Sequence, residues 1–339
     1  MRNKGAAIIL GFALVILHLA ILFAGFIAPY DPAAQNRDLS YAPPTHLHFF
    51  DSSGFHLRPF VYASVPDFDA YHEDMSREYP VHFFTRGARY HLLWIFTEDI
   101  HLFGVDAPGR VLLLGTDLYG RDEFSRMVYG GQISLAAGLL ATFITLTIAT
   151  IVGMVSGYYG RWIDESLMGC SELFLSLPWF YFLIGVRAFL PLHLDPASTF
   201  LLLIAVIGAI GWARPARLVR GITLSARNRN YVLAARGFGG SDFYLLRRHV
   251  LPEIFGVLLT QAALLVPQYV AAEATLSFFG LGIGEPMASW GNMLSTLQQY
   301  NVLVSYHWLL APALALVVTS VMYWMLADTL HHWLQSHSI

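Results

Sequence analysis

The residues best placed to do work in this sequence lie between Arg214 and Pro252. Eight arginines stand there, at 214, 217, 220, 227, 229, 236, 247 and 248, against a single acid, Asp242. Within the segment, Tyr231-Val-Leu-Ala-Ala-Arg236 has helix-forming composition and Gly239-Gly240 ends it. Ser241 and Asp242 can then cap a second short helix. Leu251-Pro252 closes the segment, with the proline expected in the first turn of the next helix. Small side chains at Ala234 and Ala235 let a partner come close, and the flanking arginines add charge steering. The chemistry on offer is recognition, either of a protein or of anionic lipid, and the spacing leaves these two level. Arginine costs roughly 2.5–3.5 kcal/mol at a bilayer centre, so the segment belongs outside the hydrocarbon. Basic loops of this kind face the cytoplasm.

Covalent and metal chemistry find little support. Cys170 is the single cysteine, which excludes an intrachain disulfide or a cysteine-rich metal site. Lys4 is the single lysine, and no Gly-x-x-x-x-Gly-Lys occurs, so a phosphate-cradling loop is absent. If nucleotide powers this protein, another chain binds it. Histidines 46, 48, 56, 72, 82, 91 and 101 crowd one region without an HExxH or any tight pair beyond His46-x-His48. They read as surface or interface residues, with a metal site as the lesser alternative, and no catalytic, cofactor-binding or metal-binding residue is assigned in this chain.

Two acids in apolar runs need a separate account, because acids within membrane helices are costly and mark function by default. Glu273 either hydrogen-bonds the glycine-rich turn that follows or lines a pathway. With Ser277, Gly280 and Gly282 it forms a candidate pathway or outer gate. Gly280, Gly282 and Gly284 permit a tight turn, and no strand precedes them to support nucleotide binding. Glu172 is expected to be paired within the bundle. Arg187 is placed to snorkel to headgroups. Pro178, Pro267 and Pro312 are expected to kink helices, and Cys170 to be inert packing. His331, His332 and His337 read as interfacial.

The elements that must position these residues follow from composition. Of 339 residues, 56% are hydrophobic and 13% charged, with mean hydropathy +0.53. A soluble domain carries about 25% charged residues, so a polytopic membrane protein is expected. Residues 1–28 form an N-terminal span whose apolar run, 6–28, exceeds a signal peptide's core. An insert and pre-helix segment fills 29–130, where Tyr79–Phe84 and Arg89–Phe103 read as strands, with turns at Arg86-Gly87 and Pro108-Gly109. Further spans are expected near 134–156, 167–190, 200–213 (extended toward Arg220), 254–276 and 306–329. They make a five-helix core over 131–330 with the basic loop 214–252 and a tail at 331–339. The Gly153-x-x-x-Gly157 pair offers a close helix contact. Loops 191–198 and 277–305 lack lysine and arginine, whereas 214–252 is rich in arginine. That asymmetry supports six spans with both termini in the cytoplasm.

The basic loop, with Ala234, Ala235, Gly239, Leu251 and Pro252, resembles permease subunits of binding-protein-dependent ABC importers, in the dipeptide/oligopeptide/nickel branch. Leu233 stands where that family's loop usually has a glutamate. Leu114-Gly-Thr-Asp-Leu-Tyr-Gly-Arg-Asp-Glu-Phe-Ser-Arg-Met-Val-Tyr-Gly130 and Glu273-Ala-Thr-Leu-Ser-Phe-Phe-Gly-Leu-Gly282, followed by Ser289-Trp-Gly291, are similar to the same branch. Gly157-Tyr-Tyr-Gly-Arg-Trp-Ile-Asp164 is a weaker match. The resemblance covers roughly 1–30 and 110–339. It implies an all-α permease of the type I importer fold in a bacterial inner membrane; the small extracytoplasmic insert, read as partly β from its own residues, is longer than is usual in the family and lies outside the resemblance. It also implies that 231–242 is a coupling helix, with Tyr231, Ala234, Ala235, Arg236, Gly239, Ser241, Asp242, Leu251 and Pro252 meeting an ATPase. The implied partners are two ABC ATPase subunits carrying ATP and Mg, a second homologous permease, a substrate-binding protein and membrane lipid, without nucleic acid. Transport of peptides or similar solutes by alternating access is the implied function. The insert, near 35–108, is expected to be a platform touching the binding protein or the partner permease. An ion-coupled secondary transporter using Glu273 and Glu172 is the alternative reading.

Overall fold

A run of 37 residues, Glu123–Tyr159, contains no proline and forms one unbroken helix, α2. At 1.5 Å per residue it is about 55 Å long, more than the roughly 30 Å of bilayer hydrocarbon. The computed structural model describes residues 2–51, 54–67, 70–92, 95–178, 181–185 and 195–335. The other helices used below are α1 (Arg2–Leu22), α3 (Arg161–Ser176), α4 (Pro196–Ile210), α5 (Ala213–Ala226) and α6 (Asn230–Gly237). They continue with α7 (Asp242–Phe278), α8 (Trp290–Leu294) and α9 (Ala311–Gln335). Five strands stand between α1 and α2: β1 (His48–Asp51), β2 (Gly54–Asp67), β3 (Ala70–Pro80), β4 (His82–Leu92) and β5 (Phe96–Gly104).

By length and composition, three helices among the described residues could cross a membrane: α2, α7 and His307–Trp333. The pair α4–α5, bent by 44°, makes a fourth if counted as one broken span. The apolar stretch of α1, Ile8–Leu22, is shorter. The third span expected over 167–190 begins differently. Here α3 starts at Arg161 and stops at Ser176, because Pro178 pushes Leu177 into extended backbone (φ −75°, ψ 133°). Pro178 therefore ends a helix instead of kinking one. Residues 179–180 and 186–194, including Arg187, lie outside the described residues, as does His337. Pro312 sits in the first turn of α9, directly after the 3-10 turn His307–Leu310, whereas Pro267 lies inside α7.

Other expected boundaries also move. The limit at 130 falls inside α2, and α9 runs through His331 and His332, so no separate tail begins at 331. The second short helix of the basic segment is the start of α7, which runs without a break past Leu251-Pro252. Just before Pro252 the helix widens into a π turn over Leu246–Val250. Proline lacks the N–H for an ordinary i→i−4 bond, and a wider turn accommodates that loss.

Contacts divide the chain into two compact units. One comprises Met1–Leu14, Ala136–Glu273 and Thr319–Ile339, the other Val15–Leu135 and Ala274–Val318. In the first, α5 buries Ala216, Val219, Thr223 and Ala226, a stripe at alternating spacings of three and four. The stripe lies against the glycines of α2. A Cβ on Gly153 would come within 2.6 Å of the Ala216 carbonyl, and one on Gly157 within 2.7 Å of the Arg220 carbonyl. Gly157→Val is thus expected to cost about 1–3 kcal/mol by overpacking. Gly169→Ala on α3, where nothing lies within 4 Å, should be neutral or stabilising. Thermal unfolding in detergent would compare the two, and an unperturbed Gly157→Val protein would refute the close contact.

Side chains from two other helices meet the backbone at the bend between α4 and α5. Thr145 on α2 donates to the Gly208 carbonyl at 2.8 Å, so the Tyr269 hydroxyl, 2.9 Å away, donates to Thr145. Tyr269 occupies the space where any Gly211 side chain would stand, with its hydroxyl 1.9 Å from that Cβ position.

In the second unit, β1, β2 and β3 form an antiparallel sheet in that order, and β4 pairs antiparallel with β5. Strand β2 was not anticipated from the sequence. Arg86-Gly87 is not a turn, since both residues lie inside β4, at an irregularity in its register. Gly87 is small because the His101 ring lies over it, 2.7 Å from an added Cβ. That ring bridges the Ala28 and Ala88 carbonyls at 2.6 and 2.9 Å.

Candidate functional site

The basic segment is partly a packed helix. Arg217 on α5 donates to Ser171 and Glu172 of α3 at 3.1 and 3.0 Å. Arg220 grips Asp164 with two hydrogen bonds, and Ser156 donates to the same carboxylate at 2.5 Å. The Arg220 hydrogen bond, outweighing burial, holds the Asp164 carboxyl below the ordinary carboxylate range. Arg227 donates to the Gly157 and Tyr158 carbonyls at 2.9 and 3.1 Å, where the last turn of α2 leaves acceptors unpaired. These arginines join helices, whereas the basic loop was expected to steer a partner or bind lipid through its charge.

What remains available is the elbow α6–turn–α7. Val232 and Leu245 are buried against Tyr158, with Ala235 partly buried beside them. The Arg236 guanidinium lies 5.1 Å over the Tyr158 ring and donates to its hydroxyl at 2.6 Å. That hydroxyl in turn donates to Asp242 at 2.6 Å. Gly239 takes φ +84°, a left-handed turn that favours glycine, and the Gly240 N–H closes α6 on the Ala235 carbonyl at 3.0 Å. Ser241 accepts from the Tyr244 N–H as the N-cap of α7. Tyr231 donates to Glu253. Outward from this frame, Leu233, Phe243 and Tyr244 are exposed, and Phe238 is 93% exposed. Ala234 is exposed among them. The structure therefore brings Tyr231, Ala234, Ala235, Arg236, Gly239, Ser241 and Asp242 together, whereas Leu251 and Pro252 lie farther along α7. Tyr158 and Glu253 were missed. The one signal for Tyr158 was the weak Gly157–Asp164 similarity.

The same unit holds a cavity of about 840 Å³ lined by Arg214, Arg217, Gln261, Gln268, Tyr269 and Phe174, among others. Glu273 is fully buried in α7 and does not line it, and neither does Glu172, which pairs with Arg217. The other gate candidates, in the second unit, build a turn. Gly280 has φ +72°, and the Leu281 N–H reaches back to the Leu276 carbonyl at 2.8 Å. Ser277 accepts from the Ile283 N–H at 3.3 Å, and a Cβ on Gly282 would collide with its hydroxyl.

Two of the similar stretches meet in the second unit. Arg121 donates to Asp117 at 2.6 Å and to both Glu285 oxygens at 2.6 and 3.2 Å. Arg126, 2% exposed, reaches Glu285 at 3.1 Å. Burial pushes the Glu285 carboxyl up, but the Arg121 hydrogen bond and the charges of Arg126 and Arg121 outweigh it and leave it below the usual range. Nearby, the buried Trp290 indole donates to the Met127 carbonyl at 2.9 Å, and Ser289 with Asn292 forms a capping box on α8.

Residues 149–337, more than half of the chain, match the family described as binding-protein-dependent transport system inner membrane component. Residues 1–44 match the N-terminal TM domain of oligopeptide transport permease C. The chain belongs to the family of binding-protein-dependent transport system inner membrane components. It is 41% identical over 198 residues to the oligopeptide transport system permease protein OppC of Haemophilus influenzae, covering 58% of each chain. It is 37% identical over 218 residues to the dipeptide transport system permease protein DppC of Bacillus subtilis, covering 64% of this chain and 66% of that one. The matches thus span less than two thirds of these two relatives. A solved methionine ABC transporter, MetNI, is similar at TM-score 0.46 and 18% identity, over 60% of this chain and 93% of that one. That likeness is too slight to carry an argument.

Proposed function

We propose that this chain is the transmembrane permease subunit of an ATP-driven importer for peptides or similar small solutes. It crosses a bacterial inner membrane six times, with both termini cytoplasmic and the strand-bearing insert on the other side. It has no catalytic residues. Two ATPase subunits carry ATP and Mg, a second related permease completes the pathway, and a binding protein delivers substrate.

The observation that carries this reading is the elbow, which is rigid beneath and apolar outside. Leu233, Phe238, Phe243 and Tyr244 face outward, while Val232, Leu245 and the Arg236–Tyr158–Asp242 chain fasten the elbow to α2 and α7. A partner pushing on α6 therefore moves two long helices together. Such a push suits alternating access, in which two packings of the helices exchange. The 840 Å³ cavity is of a size that takes small solutes, and Gln261, Gln268 and Arg214 offer partners for amide and carboxylate groups. An ion-coupled mechanism is the weaker reading, because Glu172 is already paired and neither acid lines that cavity.

Reconstitution with candidate ATPase subunits and a candidate binding protein from the same organism provides the test. Uptake of labelled peptide should require ATP and survive a protonophore. Uptake that collapses with the protonophore at constant ATP would transfer the reading to ion coupling.

A further inference from the structure

The three-stranded sheet of the insert assembles residues that no sequence spacing connects. Asp51 ends β1, His56 lies near the start of β2, and Glu78 lies on β3 opposite Tyr62. One oxygen or nitrogen from each of the three lies within 4.8 Å of the others, and all three residues are partly buried. His56 Nε2 and Asp51 Oδ1 are 2.9 Å apart. That is the length of an ordinary hydrogen bond, and tetrahedral ligands at about 2.05 Å stand about 3.3 Å apart, so the pair need open by only a few tenths of an ångström to hold an ion.

Further features point to a cation. Two carboxylates this close repel one another unless positive charge lies between them. No arginine forms a salt bridge with Glu78 among the described residues. Tyr62 stands opposite Glu78 in the strand register, where its hydroxyl is placed to act as the kind of outer partner that orients a ligating carboxylate. His56 is held edge-on against Phe60, with centroids 5.4 Å apart. We infer that Asp51, His56 and Glu78 form a binding site for a divalent transition-metal ion of the zinc class. One imidazole and two carboxylate oxygens suit such a borderline ion and leave a coordination position open. Because β1 and β3 do not pair with each other, the ion would tie together the two edges of the sheet.

The full-length chain, purified in detergent and stripped with EDTA, is titrated with Zn²⁺ by calorimetry and with Co²⁺ by visible absorption. One equivalent of Zn²⁺ should bind and raise the unfolding temperature. His56→Ala and Glu78→Gln should each weaken binding at least 10-fold, and Tyr62→Phe about 10-fold. His91→Ala, on the separate β4–β5 sheet, where its ring meets the Thr97 hydroxyl at 3.3 Å, should leave binding unchanged. Should a variant fail to fold, Co²⁺ bands at one equivalent in the unmodified chain carry the test. Absence of Co²⁺ bands and Zn²⁺ heat at micromolar metal would overturn the proposal. So would binding that survives both ligand substitutions, or a stabilisation reproduced fully by protonating His56 without metal.

Discussion

Arg121→Ala is expected to destabilise the protein by about 3–5 kcal/mol, the cost of breaking a buried ion pair by removing one partner. Arg121 is 5% exposed and sits between Asp117, itself 6% exposed, and Glu285. Removing the guanidinium strips Asp117 of its 2.6 Å partner and leaves only Arg126, 3.7 Å away, to offset its charge. Glu285→Gln should cost less, about 1 kcal/mol, because that side chain is 50% exposed and solvent screens it. The expected loss for Arg121→Ala corresponds to a melting shift on the order of 10 °C in detergent. The pH dependence has a definite sign. Glu285 is held below the ordinary glutamate value of 4.5, so its contribution is complete above that pH and is lost as pH falls through the lower folded value. The Glu285→Gln protein should therefore lose less stability on acidification. An Arg121→Ala protein melting within 2 °C of the parent would show that the ion pairs are incidental.

Phe238→Asp is expected to have the largest effect on transport with the smallest on the fold. Phe238 is 93% exposed, and surface changes of this kind usually stay within about 0.5 kcal/mol of the parent. Buried in a partner's groove, an aromatic anchor is worth about 2 kcal/mol or more. Affinity for the ATPase subunit should then fall about 30-fold or further, with uptake falling in step. Gly239→Val provides the contrast. Its φ of +84° strains any residue with a Cβ, at about 1–2 kcal/mol, so melting temperature and uptake should decline together. Wild-type affinity and uptake in Phe238→Asp would remove the elbow from the coupling mechanism.

The elbow was legible because its signals are local. The helix-forming run 231–236, the glycine pair and the Ser241 cap each act within a few residues, and the fold places all of them where expected. The arginines were read less well. Charge count showed a basic segment, but only packing separates Arg217, Arg220 and Arg227, which join helices, from Arg236, which braces the elbow. Helix limits drifted for the same reason: hydropathy marks where apolar residues lie, whereas Pro178, the π turn before Pro252 and Gly211 beneath Tyr269 act on backbone geometry.

Along-chain order was therefore enough to establish the membrane class, the family resemblance and the helix–turn–helix elbow, since hydropathy, capping and glycine turns work over one or two helical turns. Folding in three dimensions decided the rest. It paired Arg121 with Glu285 across 164 residues, set Tyr158 under Arg236, kept Glu172 and Glu273 out of the cavity lined by Arg214 and Gln268, and gathered Asp51, His56 and Glu78 from separate strands. Side chains that meet through strand register or helix crossing leave no periodic trace in the sequence, because the distance between them in space is unrelated to their separation along the chain.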